Sequence, residues 1–226
     1  MKTFWTFDWT FEIEEKTIQK KNLDFAYWII KKFLNNELDN VDFRSVPEIM
    51  TQAILYKDDK IEIRLHDFSI LESDTYIHNH SNPFSSICLE WGYEEKLWNY
   101  KDKEWKEEYF FEFERKKSGE IILKEKKEWK LVISNSRLHF PWNKLENPSH
   151  LFHTIWAKEW LWNPFTLILK IKWKKNFEWK VFWENDILTE PTIPIRPASS
   201  KEIGELKDRT TDWVKKFLEK QKYNNL

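Results

Sequence analysis

The sequence predicts a mainly β protein, an antiparallel sandwich or barrel with one helix on each flank. Three observations carry this reading. Between about residues 52 and 185, apolar and polar residues alternate with period two in short runs separated by turn-like stretches. Residues 16 to 38 instead place Ile18, Phe25, Trp28, Ile29 and Phe33 at roughly helical spacing. After the prolines of "PTIPIRPASS", Ser199 stands three residues ahead of Glu202, the signature of a capping box opening a helix.

Taken in chain order, residues 1 to 51 form an N-terminal extension holding an amphipathic helix over 16 to 38, whose apolar stripe needs a surface to pack on. The barrel spans 52 to 190. Within it "KIEIRLHDF" sets Ile61, Ile63 and Leu65 against Glu62, Arg64 and His66, and "SSICLEW", "YFFEFER", "EIILKEK", "KLVIS", "FTLILKIKW" and "EWKVFW" read as further short strands. Many closely spaced strands with no interleaved helix argue for antiparallel pairing. Residues 191 to 226 supply a proline-containing linker and a helix from about 200 to 222, with Trp213 four residues before Phe217 at the spacing of a packed pair. The lysine-rich stretch 124 to 130, interspersed with Glu, reads as a solvated strand face.

Composition narrows the function classes. A formal net charge of −1 on a chain that is 33% charged leaves no global field to draw it to nucleic acid or an anionic membrane. One cysteine, Cys88, excludes an internal disulfide, and Cys88 itself reads as a small core residue. The opening "MKTFWTFDWTFEIEE" carries acids and no continuous apolar run, so a cytoplasmic location is expected, with no membrane span. The interleaved lysines and aromatics of "KIKWKKNFEWK" are the one stretch with nucleic-acid-binding character, and they make a weak case.

Average usage gives about 16 glycines in a chain of this length, whereas there are 3 Gly and 15 Trp. Several tryptophans stand in polar, turn-like contexts: Trp91, Trp105, Trp129, Trp160, Trp162 and Trp173. Turns call for the positive φ that glycine supplies, and an indole gains nothing there. The pattern is that of a gene whose UGA codons mean glycine, rendered here as Trp. A protein rich in genuine tryptophan is the alternative, and Trp213, four residues before Phe217 on a helical stripe, reads as genuine in either case.

"IHNHSNPFSSICLEWGYEE", residues 77 to 95, places His78 and His80 one residue apart. On a strand, residues i and i+2 share a face, so both imidazoles can reach one point. Imidazole is the commonest protein ligand for Zn, Cu, Fe and Ni, and a third histidine from a neighbouring strand, His153 or His150 in "NPSHLFHTI", would complete a facial set. Two half-exposed surface histidines would give the same HxH spacing.

The order "LHDF" (65 to 68), "LESD", "HNHSNPFSSICLEWGY" (78 to 93), "PSHLFHTI" (148 to 155) and "FTLILKIKWKKNFEW" (165 to 179) resembles the cupin superfamily, and within it small bacterial and phage cupins similar to the cysteine dioxygenase type. The resemblance covers about 120 residues. It implies a double-stranded β-helix, the cupin jelly-roll barrel, and it matches His78, His80 and His153 to the metal ligands. It expects Gly at Trp91 and Trp173, and it matches Trp179 to a tryptophan of the family's own. The acidic ligand of the general cupin motif has no counterpart, since Ser81, Asn82, Pro83 and Phe84 follow His80. What remains is a three-histidine site for a divalent metal, Fe(II) first, suited to an oxygenase acting on a small polar or anionic substrate. A non-catalytic cupin-fold binding or interaction module is the alternative. His66, Arg64, Tyr93 and His150 are the pocket candidates; Arg64 either points into the barrel, where it can pair with a substrate carboxylate, or faces solvent on an edge strand. A homodimer is compatible with this reading.

Overall fold

The computed structural model describes residues 15–47, 49–69, 71, 75, 77–80, 82–100, 109–115, 121–141, 144–148, 151–156, 164–172, 180–183 and 195–224. The chain is mainly β, with antiparallel sheets and one helix near each end. Helix α1 spans Glu15–Leu34, four residues short of the expected end at 38. It stops because Asn36 turns left-handed, with φ of 55°, and the Asn36 N–H bonds back to the Phe33 carbonyl while that of Glu37 bonds back to Lys32.

The strands are β1 Asp42–Val46, β2 Met50–Lys57, β3 Ile61–Asp67, β4 Ile77–His78, β5 Phe84–Glu90, β6 Tyr93–Tyr100, β7 Tyr109–Arg115, β8 Ile121–His139, β9 Lys144–Asn147, β10 Phe152–Trp156, β11 Phe165–Ile171, β12 Lys180–Trp183 and β13 Arg196–Pro197. Helix α2 follows at Ser200–Asn224. Pairing therefore begins ahead of residue 52, with β1, and takes in Arg196 and Pro197 of the proline-containing segment. The runs "EIILKEK" and "KLVIS" belong to one long strand, β8, whose first half pairs with β7 and second half with β6.

Two sheets result. The first has the order β13-β1-β2-β3-β11-β5-β9, and the second closes on itself as β10-β4-β12-β7-β8-β6. From β3 onward the chain crosses repeatedly between them: β3, β5, β9 and β11 lie in the first sheet, and β4, β6, β8 and β10, with β7 and β12, in the second. Crossing of this kind, with β11 between β3 and β5 and β10 between β4 and β6, is the double-stranded β-helix. β7 and β12 add to it: β12 pairs with β4, and β7 lies between β12 and the first half of β8.

Helices α1 and α2 cover the outer face of the first sheet. Ala26, Ile29, Ile30 and Phe33 of α1 and Leu206, Trp213 and Phe217 of α2 share one core with Ala53, Leu55, Ile63, Leu65, Ile87, Leu89, Phe165 and Leu167. Trp213 is 2% exposed, donates its indole N–H to the Leu89 carbonyl at 3.1 Å, and stacks on Phe217 at 5.3 Å between centroids. The capping box forms as read: Ser199 Oγ accepts from the Glu202 N–H, and Glu202 accepts from the Ser199 N–H. Glu202 also takes hydrogen bonds from Arg196 and Ser45, which tie the start of α2 to β13 and β1. Arg209 pairs with Asp67, and Lys216 with Glu90, along the same helix.

Trp91 lies in the turn between β5 and β6 with φ of 59° and is 49% exposed. Trp129 corrects its turn-like reading: it sits inside β8, opposite Phe110, so a ladder position holds it. Trp105, Trp160, Trp162, Trp173 and Trp179 lie outside the described residues.

Candidate metal centre

Because β10 pairs with both β4 and β6, three interior positions come together on the second sheet. His153 stands directly opposite His78 in the β4–β10 register and opposite Leu97 in the β6–β10 register. Residues paired directly across a ladder share a face, so the imidazoles of His78 and His153 sit side by side, with centroids 4.6 Å apart. His80, two residues beyond His78, turns the same way, and its Nε2 lies 2.8 Å from Nε2 of His153. One ligand atom from each of the three histidines lies within 4.8 Å of the others. Phe84, at the start of β5 on the opposite sheet, sets its ring 4.5 Å from that of His80 and closes one side of the cluster.

This donor set fits a metal. Two nitrogens bound at right angles at the ~2.1 Å typical of a metal–imidazole bond stand about 3 Å apart, close to the separation of His80 and His153. Burial, and after it the neighbouring His78 and His153, hold the pKa of His80 well below the usual histidine value. His80 therefore stays neutral, the form that ligates. No Asp or Glu joins the three histidines in the cluster among the described residues.

Behind His153 lies a carboxylate that sequence reasoning missed. Glu95, on β6, is 0% exposed. Its Oε1 accepts from Nδ1 of His153 at 2.6 Å and from Nδ2 of Asn147 at 2.9 Å. Its Oε2 accepts from Arg137 at 2.6 Å and from Nε2 of His139 at 3.0 Å. Burial works against its charge, but the hydrogen bonds from His139 and His153 and the positive charge of Arg137 outweigh it, so the carboxyl lies far below its ordinary range. A signal was available in "WGYEEK": neighbouring residues of a strand face opposite ways, so of Glu94 and Glu95 one had to share a face with Tyr93.

The pocket candidates divide. Tyr93 is buried, its ring 4.6 Å from that of His139. Burial, and next the charge of Glu95, raises its phenol beyond the usual range. Tyr93 thus belongs to the layer behind the cluster. Arg64 is committed to Glu62, which it pairs with closely, and to Gln52 at 3.1 Å. His66 stands opposite Thr166 in the β3–β11 register, on the same face as Arg64. Its Nε2 and the Thr166 hydroxyl are both buried without a hydrogen-bond partner. Burial, aided by the charges of Arg64 and Lys170, drives the pKa of His66 down to about 3. Lys170, opposite Glu62 and Phe84 in the register, is lowered to about 8, by burial first and Arg64 second. Cys88 is buried as expected, donates to the Trp91 carbonyl at 3.0 Å, and has its thiol pushed up to about 12 by burial. His150 lies outside the described residues.

Fold and site together define a double-stranded β-helix with a three-histidine cluster between its sheets. No protein-family model and no curated protein matches the sequence. Among solved structures the chain is similar to a cupin domain from Bordetella pertussis Tohama I, with 10% identity over 55% of this chain and 95% of that one and a TM-score of 0.33. It is also similar to an RmlC-like cupin from Shewanella frigidimarina, with 8% identity over 61% and 88% and a TM-score of 0.34. A hydroquinone 1,2-dioxygenase from Sphingomonas sp. TTNP3, solved with 4-hydroxybenzoate bound, gives 9% identity over 54% and 65% and a TM-score of 0.34. The first two are named as cupins. Among the described residues no helix is long and apolar enough to cross a membrane.

Proposed function

We propose that His78, His80 and His153 hold a divalent transition metal, Fe(II) first, and that the chain is an oxygenase acting on a small anionic substrate bound between the sheets. The observation that carries this reading is the approach of the three imidazole ligand atoms to within 4.8 Å of one another. Neutral imidazoles leave the ion its full charge, and a metal so bound supplies a Lewis-acidic centre with open positions for substrate and O2. The chain's own residues supply the rest. The charges of Lys170 and Arg64 both act on His80, so an anion beside the cluster meets a positive field. Arg64 is already engaged by Glu62, which leaves Lys170 as the better clamp. His66 Nε2 and the Thr166 hydroxyl, sealed and unpaired, are polar groups on that face that a ligand could satisfy.

The test is retention of metal. Protein incubated with Fe(II) under anaerobic conditions, or with Mn(II), Ni(II) or Zn(II), and then desalted should keep about one equivalent. His78→Ala, His80→Ala and His153→Ala should each lose it with an unchanged far-UV circular dichroism spectrum. Loaded protein should then consume O2 in the presence of a small carboxylate drawn from a panel. Failure of the wild type to retain any of the four metals would leave the binding-module alternative in its place.

We further propose that residue 91 is glycine in the organism, its codon a UGA read as Gly. The left-handed φ of 59° and the outward-facing indole support this, and a UGG codon there would end the idea.

A further inference from the structure

We propose that Glu95 is a positioning residue that fixes His153 in one tautomer, with the proton on Nδ1 and the Nε2 lone pair aimed at His78 and His80. The inference rests on the metal reading for its purpose, but its geometry stands alone. A carboxylate only accepts hydrogen bonds. Glu95 has no exposed surface and meets four donors, two on each oxygen: His153 and Asn147 on Oε1, Arg137 and His139 on Oε2. Arg137 and the Asn147 amide nitrogen can only donate to it. With its lone pairs taken up this way, the 2.6 Å contact to His153 requires a proton on Nδ1. In the neutral form of the ring the one nitrogen lone pair then lies on Nε2, the atom 2.8 Å from Nε2 of His80.

The arrangement also explains why this carboxylate is held from three strands. Glu95 and His153 are diagonal neighbours, since His153 pairs with Leu97 and Ile155 with Glu95. Arg137 faces Glu95 directly from β8, and His139 is two residues further along the same strand. Asn147 arrives from β9 of the other sheet, where it pairs with Phe84. Glu95 thus ties the ligand strand β10 to both sheets and leaves the imidazole of His153 little freedom to turn. A carboxylate that orients a ligating histidine is commonly worth 10–100-fold in metal affinity.

Two measurements separate this inference from the metal reading. Long-range 1H–15N correlation of the ring nitrogens in metal-free wild type reads the tautomer of His153 directly, and needs no variant to fold. The expected result is Nδ1–H, with Glu95→Gln shifting population towards Nε2–H. A wild-type ring protonated on Nε2, or a Glu95→Gln protein with an unchanged tautomer, overturns the inference. Co(II) titration then tests the purpose: Glu95→Gln should bind about 10–100-fold more weakly than wild type with an altered visible spectrum. Equal affinity and an identical spectrum overturn the positioning role. A wild type with the Nδ1–H tautomer that takes up no Co(II) sinks the metal reading while leaving the tautomer assignment in place.

Discussion

His66 gives the sharpest stability test. Its ring carries a buried, unpartnered Nε2, faces Thr166, and feels the positive charges of Arg64 and Lys170. Burial in that setting lowers its pKa from 6.5 to about 3. At pH 7 the ring is neutral in the folded chain and mostly neutral in the unfolded one, so it contributes little to the pH dependence there. As pH falls below 6.5 the unfolded chain takes up a proton that the folded one refuses, so stability drops, and the loss continues until about pH 3. At pH 5 the unfolded ring has been driven about 1.5 pH units past its midpoint, and at 1.36 kcal/mol per unit the loss is about 2 kcal/mol. The perturbation is His66→Phe, which keeps a planar ring and removes the titration. Urea unfolding of chelator-treated protein at pH 7 and pH 5, with equal m-values, measures the loss in each protein. His80 contributes in the same direction and is present in both, so the difference isolates His66. The wild type should lose about 2 kcal/mol more than the variant between the two pH values. Equal losses would show that the nitrogen is solvated or paired in solution, and the account of the polar inner face would be wrong.

Two further outcomes follow from the same structure. Trp213→Ala should destabilise the protein by about 3–5 kcal/mol, because it empties a fully buried site between α2 and the first sheet; Trp213→Phe should cost much less, with about 1 kcal/mol due to the lost bond to the Leu89 carbonyl. Equal costs for the two would refute the packing role. Trp91→Gly should leave stability within about 1 kcal/mol of the starting protein, whereas Trp91→Val should lower it by about 1–2 kcal/mol through the left-handed backbone. A Trp91→Gly loss above about 2 kcal/mol in urea melts would show that the indole is packed after all.

Local pattern was enough for much of this. Alternation marked β3, β5, β7, β11 and β12, helical spacing marked α1, and the Ser199–Glu202 pair marked the start of α2, because each is a property of neighbours in the chain. The HxH spacing placed His78 and His80 on one face for the same reason. Other features depended on partners far apart in sequence. That His153 stands opposite His78 is a matter of ladder register, which a single-residue slip would undo. The outward limit of the first sheet, from β1 to β13, rests on the pairing of Arg44 and Ser45 with Pro197 and Arg196. Arg64 looked free to meet a substrate until the fold set Glu62 and Gln52 against it. Glu95 had no motif at all: a glutamate in a strand reads as solvated, and only the closure of β6 on β10, with β8 and β9 alongside, buries it and supplies the four donors that make burial tolerable. Sequence thus determined which residues could ligate, since that is fixed by side-chain chemistry and parity. Tertiary structure decided which of them meet and what orients them, because distance across a barrel is set by pairing and not by spacing.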